Sequence, residues 1–180
     1  KKIEIPAYAP LIELLANNSD SPLYTDNEIR IFKNGREKFK YLKEAMLNAQ
    51  HHIHLEYFII KNDHIGNEIK EILIHKAKQG VKVRVIYDKV GSIKLKRSFI
   101  NELKAAGVEM VPYTYFLAPL LRYINTYINY RNHRKIAVID GRIGFIGGIN
   151  IGDDYLGKGK LGYWRDTHLM VKGDFVQGLQ

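Results

Sequence analysis

Four residue types stand close together near the end of the chain: His133, then Lys135 two residues on, Asp140, and Asn150 at the end of Gly147-Gly148-Ile149-Asn150. An imidazole that is neutral near pH 7 can attack phosphorus. A phosphodiester is an anion and repels nucleophiles, so the attack needs cations beside it. Lys135 supplies one, and with Asn150 it would hold the non-bridging oxygens as charge builds in the transition state. The chemistry implied is attack by His133, a phosphohistidine, and transfer to an alcohol or to water. With side chains as the cations, the scheme calls for no metal and no cofactor.

The elements that must position these residues can be derived locally. Asp140-Gly141 is a hairpin signal, because a type I′ turn needs positive φ, which Gly adopts at no steric cost. Ile136, Val138 and Ile139 precede it and Ile143, Phe145 and Ile146 follow it. A two-residue loop of Gly141 and Arg142 sets Asp140 opposite Ile143, Lys135 opposite Gly148 and His133 opposite Asn150. Directly opposed residues share a face. His133, Lys135 and Asn150 then converge at the open end of the hairpin, and Gly148 leaves room for a ligand beside Lys135. Asp140 points to the other face and takes a supporting role. A bulge near Gly147-Gly148 shifts this register by one.

A lone His-x-Lys pair in a basic chain ordinarily marks a solvated strand. The full pattern, with Asp140 and Gly-Gly-x-Asn at their offsets, is far more specific. It resembles the HKD signature of the phospholipase D superfamily. The wider text INYRNHRKIAVIDGRIGFIGGINIGDDYLG and GYWRDTHLMVKGD resembles the N-terminal catalytic half of bacterial cardiolipin synthases. SPLYTDNEI, HIHLEYFII and YDKVGS extend the resemblance across the chain from about Ser21.

The resemblance implies an N-terminal arm over 1–20 and a catalytic half over 21–180, with the second HKD half absent. It implies a phosphatidyltransferase that makes cardiolipin from two phosphatidylglycerols and releases glycerol. It also implies that Asp166, in Trp164-Arg165-Asp166, fixes the tautomer of His133, and that Glu56 sits beside the phosphate; an ion pair of Asp166 with Arg165 or Arg142 is the alternative. The superfamily's second HxK histidine protonates the leaving oxygen. None of the other histidines here, at 51, 52, 54, 64, 75 and 168, has Lys two residues on. The chain therefore carries half of an active site, to be completed by the missing C-terminal half or by a second copy. Two further readings stand beside this one: a homodimeric phosphodiesterase or nuclease, and a fragment that binds anionic lipid and is inactive alone. The expected partners are phosphatidylglycerol and a membrane surface, with nucleic acid disfavoured. The expected place is the cytoplasmic side of a bacterial cell membrane, the fragment itself being soluble.

Composition agrees. Lys plus Arg number 28 against 19 Asp plus Glu, a net charge of +9 that suits anionic partners. There is no cysteine, which excludes disulfides and thiolate metal sites. No apolar run reaches the roughly 18 residues a spanning helix needs. No signal peptide is visible, and Lys1 in place of an initiator methionine suggests a trimmed chain.

Hydrophobic periodicity predicts strands over 28–32, 52–60, 81–87, 108–113 and near 167–171, with helices over 36–50, 65–79 and 98–106. Strands alternating with helices, plus one hairpin, predict an α/β domain whose mixed sheet is flanked by helices on both faces. Leu117, Leu120, Leu121, Ile124, Tyr127 and Ile128 make a helical stripe. It suits either an interfacial segment or, favoured slightly, packing on the core or on a second half. His52 and His54 share a strand face, but without a completing ligand set they read as a half-exposed strand rather than a metal site.

Overall fold

A computed structural model describes residues 8–19, 23–113, 132–158, 162 and 164–180. The apolar stripe over 117–130 lies outside the described residues.

The helices predicted from apolar spacing form, those over 36–50 and 65–79 opened by side-chain caps. Asn34 opens α2 (Gly35–Leu47), its side chain accepting the Glu37 N–H at 2.9 Å. Asp63 does the same for α3 (His64–Lys78) through Gly66 N–H. Phe39, Leu42 and Met46 of α2, and Ile65, Ile69 and Leu73 of α3, are buried. A shorter helix, α1 (Ala9–Ser19), precedes them, α4 (Arg97–Ala105) follows, and α5 (Phe175–Leu179) ends the chain.

Seven strands make one mixed sheet in the order β1-β7-β6-β5-β2-β3-β4. They are β1 (Asn27–Phe32), β2 (His52–Tyr57), β3 (Lys82–Asp88), β4 (Glu109–Tyr113), β5 (Lys135–Ile139), β6 (Ile143–Gly147) and β7 (His168–Gly173). β2, β3 and β4 are parallel, while β5, β6, β7 and β1 add antiparallel pairings. Strand β2 is shorter than the apolar run suggested: it ends at Tyr57, and the following residues leave the ladder to bridge Ile60 with Ile151.

Period-two alternation separates the two faces. Ile53, Leu55 and Tyr57 of β2 and Val83 and Val85 of β3 join the apolar sides of α2, α3 and α4 in the main core. Val176 and Leu179 of α5 cover the opposite face at Gly144, where an added Cβ would come within 2.7 Å of Leu179. Gln180 reaches both His52 and His54 on that face. The sheet is therefore mixed and carries helices on both sides.

The hairpin differs from its predicted register. Ile139 pairs with Ile143 and Ile136 with Ile146, so the loop is Asp140-Gly141-Arg142. Asp140 itself has left-handed backbone, φ 53, and Gly141 follows at φ 64. The reason lies across the sheet. The Asp140 carboxylate accepts N–H groups from Gln50, His51 and His52 at 2.8, 2.7 and 2.9 Å. These bonds hold Asp140 in the turn instead of at a strand end, and the ladder shifts by one residue.

Candidate active site

The shifted register changes who meets whom. Extending the Ile136–Ile146 pairing brings Lys135 beside Gly147, not Gly148. The ladder also stops there, so His133 and Asn150 are not cross-strand partners. They still come to the same end of the sheet, by way of the segment that follows β2. His133 stacks on Phe58, ring centroids 4.1 Å apart. Asn150 accepts the N–H of the next residue, Ile59, at 3.0 Å.

His133 is exposed, and its ring makes no hydrogen bond among the described residues. The chain around it is held firmly. Arg134 carbonyl accepts the Phe58 N–H at 3.1 Å. Asn132 donates to Glu56, and its own amide N–H goes to Asp88 at 3.2 Å. Arg134 lies 3.6 Å from Glu56. Glu56 therefore grips the residues on either side of His133. It does so from the face away from Lys135, since it pairs with Ile136 and Lys135 pairs with Tyr57.

Lys135 turns back over the site. Its ammonium donates to the His133 carbonyl and lies 5.3 Å from the Phe58 ring centroid. Partial burial pushes its pKa below the ordinary lysine value, against an opposing pull from Asp166. Asn150 is 4% exposed and donates to Tyr155 Oη at 2.7 Å. With its oxygen on Ile59, one amide hydrogen remains for a ligand.

Gly148 leaves room, and Asp166 occupies it: an added Cβ would fall 2.2 to 2.5 Å from the carboxylate atoms. Asp166 accepts the Thr167 N–H at 2.7 Å and forms no hydrogen bond with His133. Asp140 is remote from this cluster, bonded to the start of β2. Burial alone would raise its pKa, but the N–H groups of Gln50, His52 and His51 outweigh that and hold it below the usual carboxylate value.

Two contributors, Phe58 and Asp88, escape a sequence reading. Phe58 is the platform under His133. Asp88 accepts Val90 and Gly91 N–H groups as well as that of Asn132. An Asp two and three residues before such donors is the Asx-turn signal that could have revealed it. Ser92 is buried; it donates to Phe58 carbonyl and accepts the Ile60 N–H at 3.2 and 3.0 Å. It shapes the segment under the site. His52 and His54 lie with ring centroids 4.6 Å apart. Among the described residues no cluster of three or more His, Cys, Asp and Glu is arranged to hold a metal.

A family model described as "Cardiolipin synthase, PLD-like domain" matches residues 42–160. A cardiolipin synthase of Halalkalibacterium halodurans is 55% identical over 172 residues, 94% of this chain and 33% of that protein. The chain thus spans about a third of the length of the curated relatives it matches. Among solved structures, phosphatidylserine synthase of Haemophilus influenzae Rd KW20 superposes with TM-score 0.68 at 18% identity, covering 94% of this chain and 38% of that one. Nuc of Salmonella typhimurium, a phospholipase D family member, gives TM-score 0.61 at 14% identity, covering 86% and 87%.

Proposed function

The chain belongs to the phospholipase D-like family of cardiolipin synthase domains, and from that premise we propose that residues 21–180 are the first catalytic half of a phosphatidyltransferase, with residues 1–20 an arm. His133 attacks the phosphorus of phosphatidylglycerol, glycerol leaves, and a second phosphatidylglycerol takes the phosphatidyl group from the phosphohistidine to give cardiolipin. Lys135 and the spare amide hydrogen of Asn150 bind the non-bridging oxygens. Asp166, across Gly148, is the candidate to hold the distal nitrogen of His133; catalytic hydrogen bonds in an empty site are commonly longer than in the working complex. Asp140 and Glu56 act through others: one fixes the hairpin turn, the other the segment carrying His133.

One observation carries this reading: His133 stands exposed, its ring without a hydrogen bond among the described residues, while the backbone on both sides is pinned and Lys135 lies over the same aromatic platform. A rigidly mounted imidazole beside a cation is what phosphoryl attack requires. No second histidine among the described residues shares the platform, so the acid for the leaving alkoxide comes from elsewhere. We assign that role to the C-terminal half of the longer protein. The +9 charge suits the cytoplasmic face of a bacterial membrane; no described helix is long and apolar enough to cross it.

A second reading rests on extent. The superposition with Nuc covers most of both chains, so a unit of this size can stand alone as a chain, and two copies of this one could face their His133 rings as a homodimeric phosphodiesterase. The test is one sample assayed three ways: solution mass, release of glycerol from phosphatidylglycerol, and hydrolysis of DNA. Glycerol release that appears only when the C-terminal half is added supports the first reading. A dimer that cleaves DNA unaided supports the second.

A further inference from the structure

Beneath the site lies a row of positions of which the mechanism above uses only Lys135. Tyr57 pairs with Lys135, and Gly147 pairs with His168. The β5–β6 register places Lys135 beside Gly147. Tyr57, Lys135, Gly147 and His168 therefore cross four adjacent strands on one face, the face that α2 covers. Gly147 contributes no side chain; a Cβ there would lie 2.8 Å from His168 Nδ1. The imidazole takes the vacated space.

Lys38 enters this row from α2. It is 0% exposed, its ammonium or amine nitrogen 3.0 Å from Tyr57 Oη, and it forms no ion pair among the described residues. The rings of Phe39 and Tyr57 close over it at 4.1 and 4.9 Å. Burial drives its pKa well below the ordinary lysine value. His168 is also 0% exposed. Its Nδ1 accepts the Ile149 N–H at 3.3 Å, so the neutral ring carries its proton on Nε2. Among the described residues that Nε2 has no hydrogen-bond partner. Burial first, then the positive charges of Lys38 and Lys135, push the His168 pKa down to about 2.

A buried amine with one hydroxyl partner and a buried imidazole with an idle N–H both cost stability. An apolar residue at either position would fill the same space at lower cost. Rules of packing are broken in this way where function requires it. What these groups touch is the site: Tyr57 lies opposite Lys135, and Ile149 precedes Asn150.

We propose that Lys38, Tyr57 and His168 form a positioning layer that holds the Lys135 strand and the Ile149–Asn150 segment in the geometry that binds a phosphoryl anion, at the expense of fold stability. The proposal rests on the assignment of Lys135 and Asn150 as the anion-binding pair. Lys38 acts through Tyr57, and His168 acts through the Ile149 N–H.

The experiment is titration of the chain with inorganic vanadate, followed by the amide shifts of Gly148 and Asn150, together with thermal unfolding of each variant. Lys38→Met replaces the amine with an apolar chain of similar length. It should raise Tm while weakening vanadate binding by about tenfold, the scale for loss of a supporting contact behind a ligand. His168→Leu should weaken binding likewise, and His168→Asn, which keeps an acceptor near the Nδ1 position, should restore it. Tyr57→Phe, which removes only the hydroxyl, gives the same reading if Lys38→Met does not fold. A merely structural layer predicts the opposite coupling: variants that bind vanadate as the unaltered chain does, or that lose binding only in proportion to lost stability. Either result overturns the proposal. If the unaltered chain shows no vanadate shift at Gly148 and Asn150, the anion-site assignment itself fails, and this layer loses its role with it.

Discussion

The imidazole of His133 lies on the ring of Phe58, centroids 4.1 Å apart and planes 28° apart, and the ammonium of Lys135 lies 5.3 Å from the same ring centroid. One aromatic side chain therefore carries both the proposed nucleophile and the cation beside it. Phe58 is itself fixed by its N–H bond to Arg134 carbonyl and by Ser92, which donates to the Phe58 carbonyl. The site is thus referenced to the end of β2 rather than to the hairpin alone.

Phe58→Leu should test this mounting. It keeps an apolar side chain under the site and removes the flat surface. Loss of alignment on the order of 1 Å costs about a hundredfold in rate. We expect kcat, measured with both catalytic halves present, to fall on that scale with thermal unfolding little changed. Unaltered turnover would show that Phe58 is only filler.

His133→Asn should remove the nucleophile and leave the platform. Turnover should drop by roughly three orders of magnitude or more. The covalent phosphohistidine, trapped by acid-free quench and detected by mass, should vanish. Vanadate binding at Lys135 and Asn150 should persist. A variant that still forms the covalent adduct would move the nucleophile to another residue.

Asp140 predicts a pH signature. Its carboxylate gathers three backbone N–H groups, and its pKa is held below the usual value. The unfolded chain restores it to about 3.9. The stability it contributes is therefore fully present above that pH and is lost as pH falls through the folded-state value. Asp140→Ala should cost about 1–3 kcal/mol at pH 7, since the N–H donors at the end of β2 lose their acceptor. Urea unfolding from pH 6 to pH 2.5 should show the difference between variant and parent shrinking as pH drops. A constant difference would mean that the carboxylate charge is not what holds the turn.

Much of this arrangement is readable from residue order, and the gaps have physical causes. Helices α2 and α3 follow from apolar spacing, and the mixed sheet follows from strands alternating with helices plus the Asp140-Gly141 turn. His133 and Asn150 reach one end of the sheet as the local pattern suggests, but they meet through Phe58 and Ile59 after β2, not across the hairpin. The register does not follow from that pattern, because it depends on a long-range bond: Asp140 is captured by the start of β2, nearly ninety positions earlier in the chain. The place of Gly148 fails for the same kind of reason, since the space it leaves is filled by Asp166 from the lead into β7. Lys38 and His168 were invisible because a lysine in an amphipathic helix and a histidine in a strand carry no local mark of burial. Only the placement of Lys38 over Tyr57 and near His168 reveals them.

The last prediction concerns the incomplete site. Alone and monomeric, the chain should be a weak catalyst. It has one exposed imidazole on the Phe58 platform and no general acid opposite it among the described residues. Loss of general acid catalysis costs about 10²–10⁴-fold, and phosphate contacts from a C-terminal half would add to the deficit. Adding the C-terminal half of a cardiolipin synthase should restore glycerol release, and His133→Asn in this chain should abolish the restored activity. Restoration should saturate with the added half, because the second imidazole must dock opposite the first. Sedimentation at assay concentration, on the sample used for turnover, distinguishes the cases. A particle of twice the chain mass with full activity and no added half would overturn this expectation, and would mean that two His133 rings supply the nucleophile and the acid between them.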